Sequence, residues 1–259
     1  MKADGRAHIL AVTSGKGGVG KTFLSANLAA ALTRRGERVL VLDADLGLAN
    51  LDVVLNLTPK LTLHDVFTGR VPLEDAILAA PGGFSVLLAG SGLVEYSRLT
   101  PQLREQLDAI LSQVAPRFDR ILLDTGAGIS DVVLHAISLA DDVLVVSTPE
   151  PTSMTDAYAT VKVLAGEQRR RTVRLVVNQT SAHGEGRTVR NQLQLVVDRF
   201  VSPQARLDGG DGVTLEFTGE VPTDPMVREA VQKRTLLVES APGSAAGRAV
   251  MQIAERLAG

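Results

Sequence analysis

Eight residues near the start, Gly15-Lys16-Gly17-Gly18-Val19-Gly20-Lys21-Thr22, constrain this chain more than any other feature. They satisfy G-x-x-x-x-G-K-[ST], a pattern that does its chemistry only between a strand and a helix. Both neighbours have the required character: His8 to Thr13 is an apolar, strand-like run, and Lys21 to Arg35 has a helical pattern. Glycines let the backbone curl until consecutive N–H groups point at phosphate oxygens, and the helix N-terminus adds partial positive charge. On this reading Gly15 to Thr22 hold a nucleoside triphosphate, with Lys21 reaching the β and γ phosphates. The Thr22 hydroxyl is offered to Mg2+, a hard ion that prefers oxygen.

The rest of the chain repeats the strand-then-helix order. Arg38 to Asp43, Phe84 to Ala89, Arg120 to Asp124, Asp142 to Ser147 and Val173 to Asn178 read as buried parallel strands. Pro101 to Val114, Ser153 to Leu164 and Thr188 to Phe200 read as helices between or after them. The expectation is one α/β domain over residues 1–259, a doubly wound, mostly parallel sheet flanked by helices on both faces. Ligands collect at the carboxyl ends of such strands, where the polar motifs fall. Ser202 to Gly212 has loop composition and reads as a surface loop before a further strand-like run, Val213 to Thr218.

Composition limits the function classes. With 45% hydrophobic and only 3% aromatic residues among 259, the core is aliphatic, and a net charge of −2 argues against nucleic-acid binding over the whole surface. The absence of cysteine excludes disulfides, a thiolate nucleophile and a zinc ribbon. The leader Met1 to Ala7 is polar and no apolar stretch is long enough to span a bilayer, so the expectation is a cytoplasmic protein, at most peripheral to the inner membrane or cell pole.

Two acidic segments could support hydrolysis. Asp43-Ala44-Asp45-Leu46-Gly47-Leu48-Ala49-Asn50-Leu51-Asp52 follows a strand. Phosphoryl transfer to water needs an aligned nucleophile and neutralised charge, so a carboxylate orienting water suffices, and Asp45 is assigned that role. Asp52 reads as a residue that caps a helix or satisfies backbone N–H groups. Ile121-Leu122-Leu123-Asp124 is an apolar strand ending in an acid, which would hold a water on Mg2+; Gly126 and Gly128 free the following backbone to respond to a γ-phosphate.

Lys16 is not required by the general phosphate-loop pattern. With it, the loop resembles the KGGVGKT-type loop of the MinD and ParA family, the deviant Walker A ATPases. The resemblance implies ATP as the nucleotide and slow, partner-stimulated hydrolysis. It implies a homodimer that clasps two ATP molecules face to face, with Lys16 acting in trans on the partner's nucleotide. It also places Asp43 near the Mg2+ shell, Asn178 on the adenine, Pro222 and Asp224 beside the base, and Glu150 at the dimer interface. The stretches DADLGLANLDVVL, DTGAGIS, TPEPTSMTDAY and VPTDPMVREAVQKR resemble the branch of the family called FlhG, FleN or YlxH. That branch regulates flagellar number and placement, and implies as partners the GTPase FlhF, flagellar C-ring proteins and a flagellar transcription regulator. Two departures matter. The seven residues before the first strand contain no DQA-type activator segment for FlhF, and the last helix, about Ser244 to Leu257, reads as core-packing rather than membrane-binding.

Three function classes stand against one another. The first is an ATP-gated spatial regulator. The second is an ATPase of the ParA or MinD type for DNA segregation or division-site placement, for which Arg169, Arg170 and Arg171 offer a DNA-binding patch. The third is a metabolic P-loop enzyme such as an amide synthase, or a nitrogenase-type reductase, whose cluster needs cysteines this chain lacks.

Overall fold

The computed structural model describes residues 6–47, 50–90, 96, 98–207 and 209–258. Met1 to Gly5 of the leader, and Leu48 and Ala49 of the first acidic segment, lie outside them.

Eight strands form one sheet: β1 (His8–Ser14), β2 (Val39–Ala44), β3 (Ile77–Ala79), β4 (Ser85–Leu87), β5 (Arg120–Ala127), β6 (Asp142–Ser147), β7 (Thr172–Thr180) and β8 (Thr214–Pro222). Their order is β3-β4-β2-β5-β1-β6-β7-β8, and every neighbouring pair is parallel except β3 with β4. The helices are α1 (Lys21–Thr33), α2 (Leu51–Leu55), α3 (Leu63–Phe67), α4 (Leu73–Ala76), α5 (Pro101–Val114), α6 (Asp131–Ser138), α7 (Pro151–Glu167), α8 (Glu185–Phe200), α9 (Ser202–Leu207), α10 (Pro225–Lys233), α11 (Leu237–Ser240) and α12 (Ala245–Ala258).

The sheet is covered on both sides, which is why its strands read as continuous apolar runs. Successive side chains of β1 alternate between the two layers. Ile9 and Ala11 join the core beneath α5, α6, α7 and α8, while Leu10 and Val12 join the core beneath α1, α11 and α12. The expected fold class is therefore observed.

Several details depart from the sequence reading. Ser202 to Gly212 contains the helix α9, since Ala205 is buried and the buried Ser202 hydroxyl accepts the Val213 N–H at 3.0 Å. Strand β8 runs on to Pro222 and pairs with β7 as the sheet's edge. Strand β5 continues past Asp124 through Gly126 to Ala127, so Gly126 belongs to the sheet and the connecting loop begins at Gly128. The short elements α2, α3, α4 and β3 lie between β2 and β4, where local periodicity is too brief to register. Core packing of the last helix is borne out: Val250, Ile253, Ala254 and Leu257 are buried on α12. A Cβ on Gly219 of β8 would lie 2.5 Å from Cγ1 of Ile253, so the helix seats directly on strand backbone. Among the described residues, no helix is long and apolar enough to cross a membrane.

Of the basic triplet, Arg170 is spent inside the fold while Arg169 is exposed. The Arg170 guanidinium donates to the carbonyls of Ile137, Ala140 and Asp141, closing the C-terminal end of α6. Arg171 has a buried guanidinium nitrogen, Nη1.

The amino ends of the strands carry a ladder of charge. His8 Nε2 lies 3.4 Å from Asp142, Arg174 bonds Asp142 at 3.1 Å and Glu216 at 2.8 Å, and together they stitch β1, β6, β7 and β8. The His8 hydrogen bond, with Arg174 adding to it, lowers the Asp142 carboxyl to about 2. A lowered carboxyl stabilises the fold above the unfolded value of 3.8, and that contribution is lost as pH falls through about 2. Asp142 is partly solvated, so screening leaves only part of the shift as stability. Asp142→Asn should therefore cost about 1 kcal/mol at pH 7 and only a small fraction of that near pH 2, measured by urea denaturation at both pH values.

Candidate nucleotide-binding site

The central strand β1 delivers the glycine loop to the carboxyl edge of the sheet, between the ends of β5 and β6. Gly18 and Gly20 have φ of 77° and 97°, a left-handed conformation that side chains resist. Gly20 has a second reason to be glycine, because a Cβ there would lie 2.4 Å from Nδ2 of Asn178. Gly15 is pinned by packing, since its Cβ would strike the Asp156 backbone of α7 at 2.2 Å. Lys21 opens α1 and is buried; its ammonium donates to the Ser14 hydroxyl at 2.9 Å, which itself donates to the Lys16 carbonyl at 2.7 Å. Burial lowers the Lys21 pKa, while Asp124 and Asp45 oppose that shift.

The three carboxylates assigned from sequence converge beside this lysine. Asp43 on β2 is in register with Asp124 on β5, which is in register with Val12 on β1. Both acids are buried. Burial first, and then the charge of Asp124, pushes the Asp43 carboxyl well above the usual carboxylate range. Burial raises Asp124 to about 6, against hydrogen bonds from Thr22 and Ser25 and the charge of Lys21. The Ser25 hydroxyl, one turn into α1, donates to Asp124 at 2.8 Å. Asp43 accepts the Asp45 N–H at 3.2 Å on one oxygen, and its other oxygen, Oδ2, is buried with no hydrogen-bond partner. Asp45 lines the cavity with Gly126, whose Cβ would come within 3.3 Å of the Asp45 carboxylate. The Gly126 requirement is thus close approach, and the backbone freedom predicted for this segment resides in Gly128, at φ 92°.

A cavity of about 740 Å³ is lined by Gly17, Gly18, Gly20, Lys21, Thr22, Asp45 and the start of α6, a size suited to a bound small molecule. A neighbouring pocket of about 310 Å³ shares Gly20 and Phe23 with it and brings together Asn178, Pro222 and Asp224. Asn178 is fixed by donating Nδ2 to the Val19 carbonyl at 2.7 Å, which ties the end of β7 to the glycine loop. Asp224 is different: its oxygens accept Met226 N–H at 2.9 Å and Ala246 N–H at 3.1 Å, so it caps α10 and anchors α12. Lys16 does not face its own phosphate cavity. Its ammonium pairs with Glu150 at 2.6 Å and the Thr152 hydroxyl at 3.0 Å, at the partly exposed start of α7. Asp52 lies in the first turn of α2 and does not cap it: α2 has Asn50 at its N-cap with no side-chain cap hydrogen bond, and Asp52 instead satisfies a neighbouring backbone group, accepting the Val53 N–H at 2.8 Å.

Ser14, Ser25 and Thr152 were not legible as site residues. Ser14 ends the strand before the glycine loop, and Ser25 lies one turn beyond Lys21; only the folded geometry puts them on Lys21 and Asp124. A hard divalent cation suits the donor set: the Thr22 hydroxyl and the Asp43 and Asp124 carboxylates are oxygen donors, and the buried Asp43 oxygen is without a partner.

A strand–glycine-loop–helix unit central in a parallel sheet, with acids on the flanking strands, defines a P-loop nucleoside triphosphatase. The ParA family profile, described as NUBPL iron-transfer P-loop NTPase, matches residues 5–258. The chain is 42% identical to the antiactivator FleN of Pseudomonas aeruginosa over 260 residues, covering 99% of this chain and 89% of FleN. It is 31% identical to the flagellum site-determining protein YlxH of Helicobacter pylori, over 96% of this chain and 81% of YlxH. Its fold matches the septum site-determining protein MinD of Pyrococcus horikoshii, solved with Mg-ADP, at a TM-score of 0.74 and 27% identity, covering 97% and 96% of the two chains. The chain belongs to the ParA/MinD family of P-loop NTPases, whose members are ATPases.

The buried acid pair has a measurable consequence for the metal-free protein. Raised carboxyls stabilise the fold fully below the unfolded value of 3.8, and this is lost as pH rises through about 6 for Asp124. Asp43→Asn removes one of the two facing charges, so it should raise metal-free stability at pH 7.5 by about 1–2 kcal/mol and change little at pH 4.5. Thermal melts in EDTA at the two pH values check this.

Proposed function

We propose that this chain is an ATP-hydrolysing switch that dimerises with ATP and controls flagellar number or placement. The carrying observation is the opposed disposition of two lysines in one loop. Lys21 is buried against the acids of its own site, whereas Lys16 points out of it, to Glu150 and Thr152 on a partly exposed surface. A cation turned away from its own nucleotide is placed to serve a second subunit's. The flagellar assignment rests on the similarity to FleN and YlxH.

In this reading the glycine-loop N–H groups and Lys21 take the phosphates. Thr22, Asp43 and Asp124 would hold Mg2+, which would supply positive charge to the phosphates. Asp45 orients the attacking water from the cavity wall. Asn178 faces the adenine, with Pro222 beside it, while Asp224 shapes that pocket through its cap. When a second subunit docks, Lys16 exchanges Glu150 for the partner's nucleotide, and Glu150 remains at the interface. FlhF, C-ring proteins and a flagellar transcription regulator are the partners implied. A DNA-segregation role has less support, because Arg170 is committed to the end of α6.

Light scattering with ATP, with ADP, and with ATP on Asp45→Ala tests the switch. Dimer with ATP alone, accumulating in Asp45→Ala, is expected, with hydrolysis in that variant down by about a hundredfold or more. Lys16→Ala should still bind a fluorescent ATP analogue but stay monomeric. A mass indifferent to nucleotide would sink this proposal.

A further inference from the structure

A second cavity, of about 460 Å³, lies outside the nucleotide site, along the open edge of the sheet between the start of α8, strand β8 and α12. Three arginines from two elements line it: Arg187 on α8, and Arg248 and Arg256 on α12. Each guanidinium is steadied by one neutral contact. Arg187 lies over the Phe217 ring, 5.2 Å from its centroid, Arg256 donates to the Thr218 carbonyl at 2.7 Å, and Arg248 donates to the Gly243 carbonyl. Among the described residues, no carboxylate is within ion-pair distance of any of the three. A guanidinium has five N–H donors, so each keeps most of its hydrogen-bonding capacity.

The acids nearby are engaged elsewhere. The Glu220 carboxylate accepts the N–H groups of Gly184 and Gly186, both at 2.7 Å, and thereby fills the anion-attracting N-terminus of α8. Asp224 is close enough for Arg248 to act on its charge, but its oxygens are taken by Met226 and Ala246. The walls between the arginines are mixed: Phe217, Ala249 and Ile253 give apolar surface, while Thr180, Gln252 and the already engaged Glu220 also line the groove. The chain carries a net charge of −2, so three held, unpaired cations in one groove are not a general property of its surface.

We propose that this groove is a docking site for an acidic segment of a partner protein, whose carboxylates meet the three guanidiniums and whose apolar side chains rest on Phe217 and Ala249. Preorganised arginines favour planar, bidentate capture of carboxylates, and clusters of them recognise acidic motifs. The apolar part of the walls favours a peptide, whose side chains alternate in character, over a nucleic-acid backbone, which offers none to cover it. Pro222 lines both this groove and the base pocket, so the two adjoin there, but the three arginines line only the groove and the proposal does not depend on the switch reading.

The test uses the intact protein and a fluorescein-labelled dodecapeptide in which Asp and Glu alternate with Leu, read by anisotropy. Saturable binding is expected, weakened about tenfold or more by Arg187→Glu or by Arg187→Gln with Arg248→Gln, and several-fold by added salt. Arg104→Glu, an equal charge change on exposed α5, should alter it less than about twofold. Retained binding of a fluorescent ATP analogue and an unchanged melting temperature would show that the variants are folded. No binding of the peptide, equal binding by its Asn/Gln counterpart, or loss in Arg104→Glu as large as in Arg187→Glu would overturn the proposal. So would a single-stranded oligonucleotide that binds the groove more tightly than the peptide.

Discussion

A buried ammonium, that of Lys21, is the constraint on which the rest of the molecule turns. Taking that charge out of water is costly, and burial alone lowers its pKa; the neighbouring Asp124 and Asp45 pull the other way. Those acids can be neighbours only if β5 lies beside β1 and β2 beside β5, which is the order observed. The strand arrangement and the charge balance at the carboxyl edge are thus one requirement. The balance is still incomplete, with two buried carboxyls raised and one oxygen of Asp43 without a partner. Stability is surrendered there, at the site we propose for a divalent cation and a polyphosphate.

The two ends of the sheet divide the labour. At the amino ends, His8, Asp142, Arg174 and Glu216 pair across four strands, a stabilising network remote from the chemistry. At the carboxyl ends, the groups are held ready for a ligand rather than for one another. The glycine loop is braced from far away, with Asn178 reaching back 159 residues to the Val19 carbonyl. That single amide ties the end of β7 to the glycine loop, so the two adjoining pockets are held in fixed relation by one hydrogen bond.

Much of the fold was legible because its signals are local. Six buried strands declare themselves as aliphatic runs, and α5 was readable over its full span because Thr100 caps it and Pro101 occupies its first turn. The misses share a cause: their identity depends on what lies opposite. Gly126 reads as a flexible glycine, but the sheet keeps it extended and Asp45 presses against it. Ser202 to Gly212 has the composition of a loop, but Ala205 and Ser202 turn inward and a helix forms. Arg170 reads as part of a basic patch, yet three carbonyls at the end of α6 absorb it.

The sequence by itself determined the class of chemistry, because a strand, a curled glycine loop and a helix beginning with lysine and threonine can do little else than hold phosphate. It also pointed to the acids, because a carboxylate ending an apolar strand, ambiguous alone, gains a role when a phosphate loop lies upstream in the same sheet. Only the tertiary structure decided which of these groups touch. Register placed Asp43 opposite Asp124, put the Ser25 hydroxyl on Asp124, turned Lys16 toward Glu150, and gave Asp224 to two helix caps. The physical reason is that periodicity reports which face a residue occupies, whereas a contact distance depends on the packing of elements that are remote along the chain.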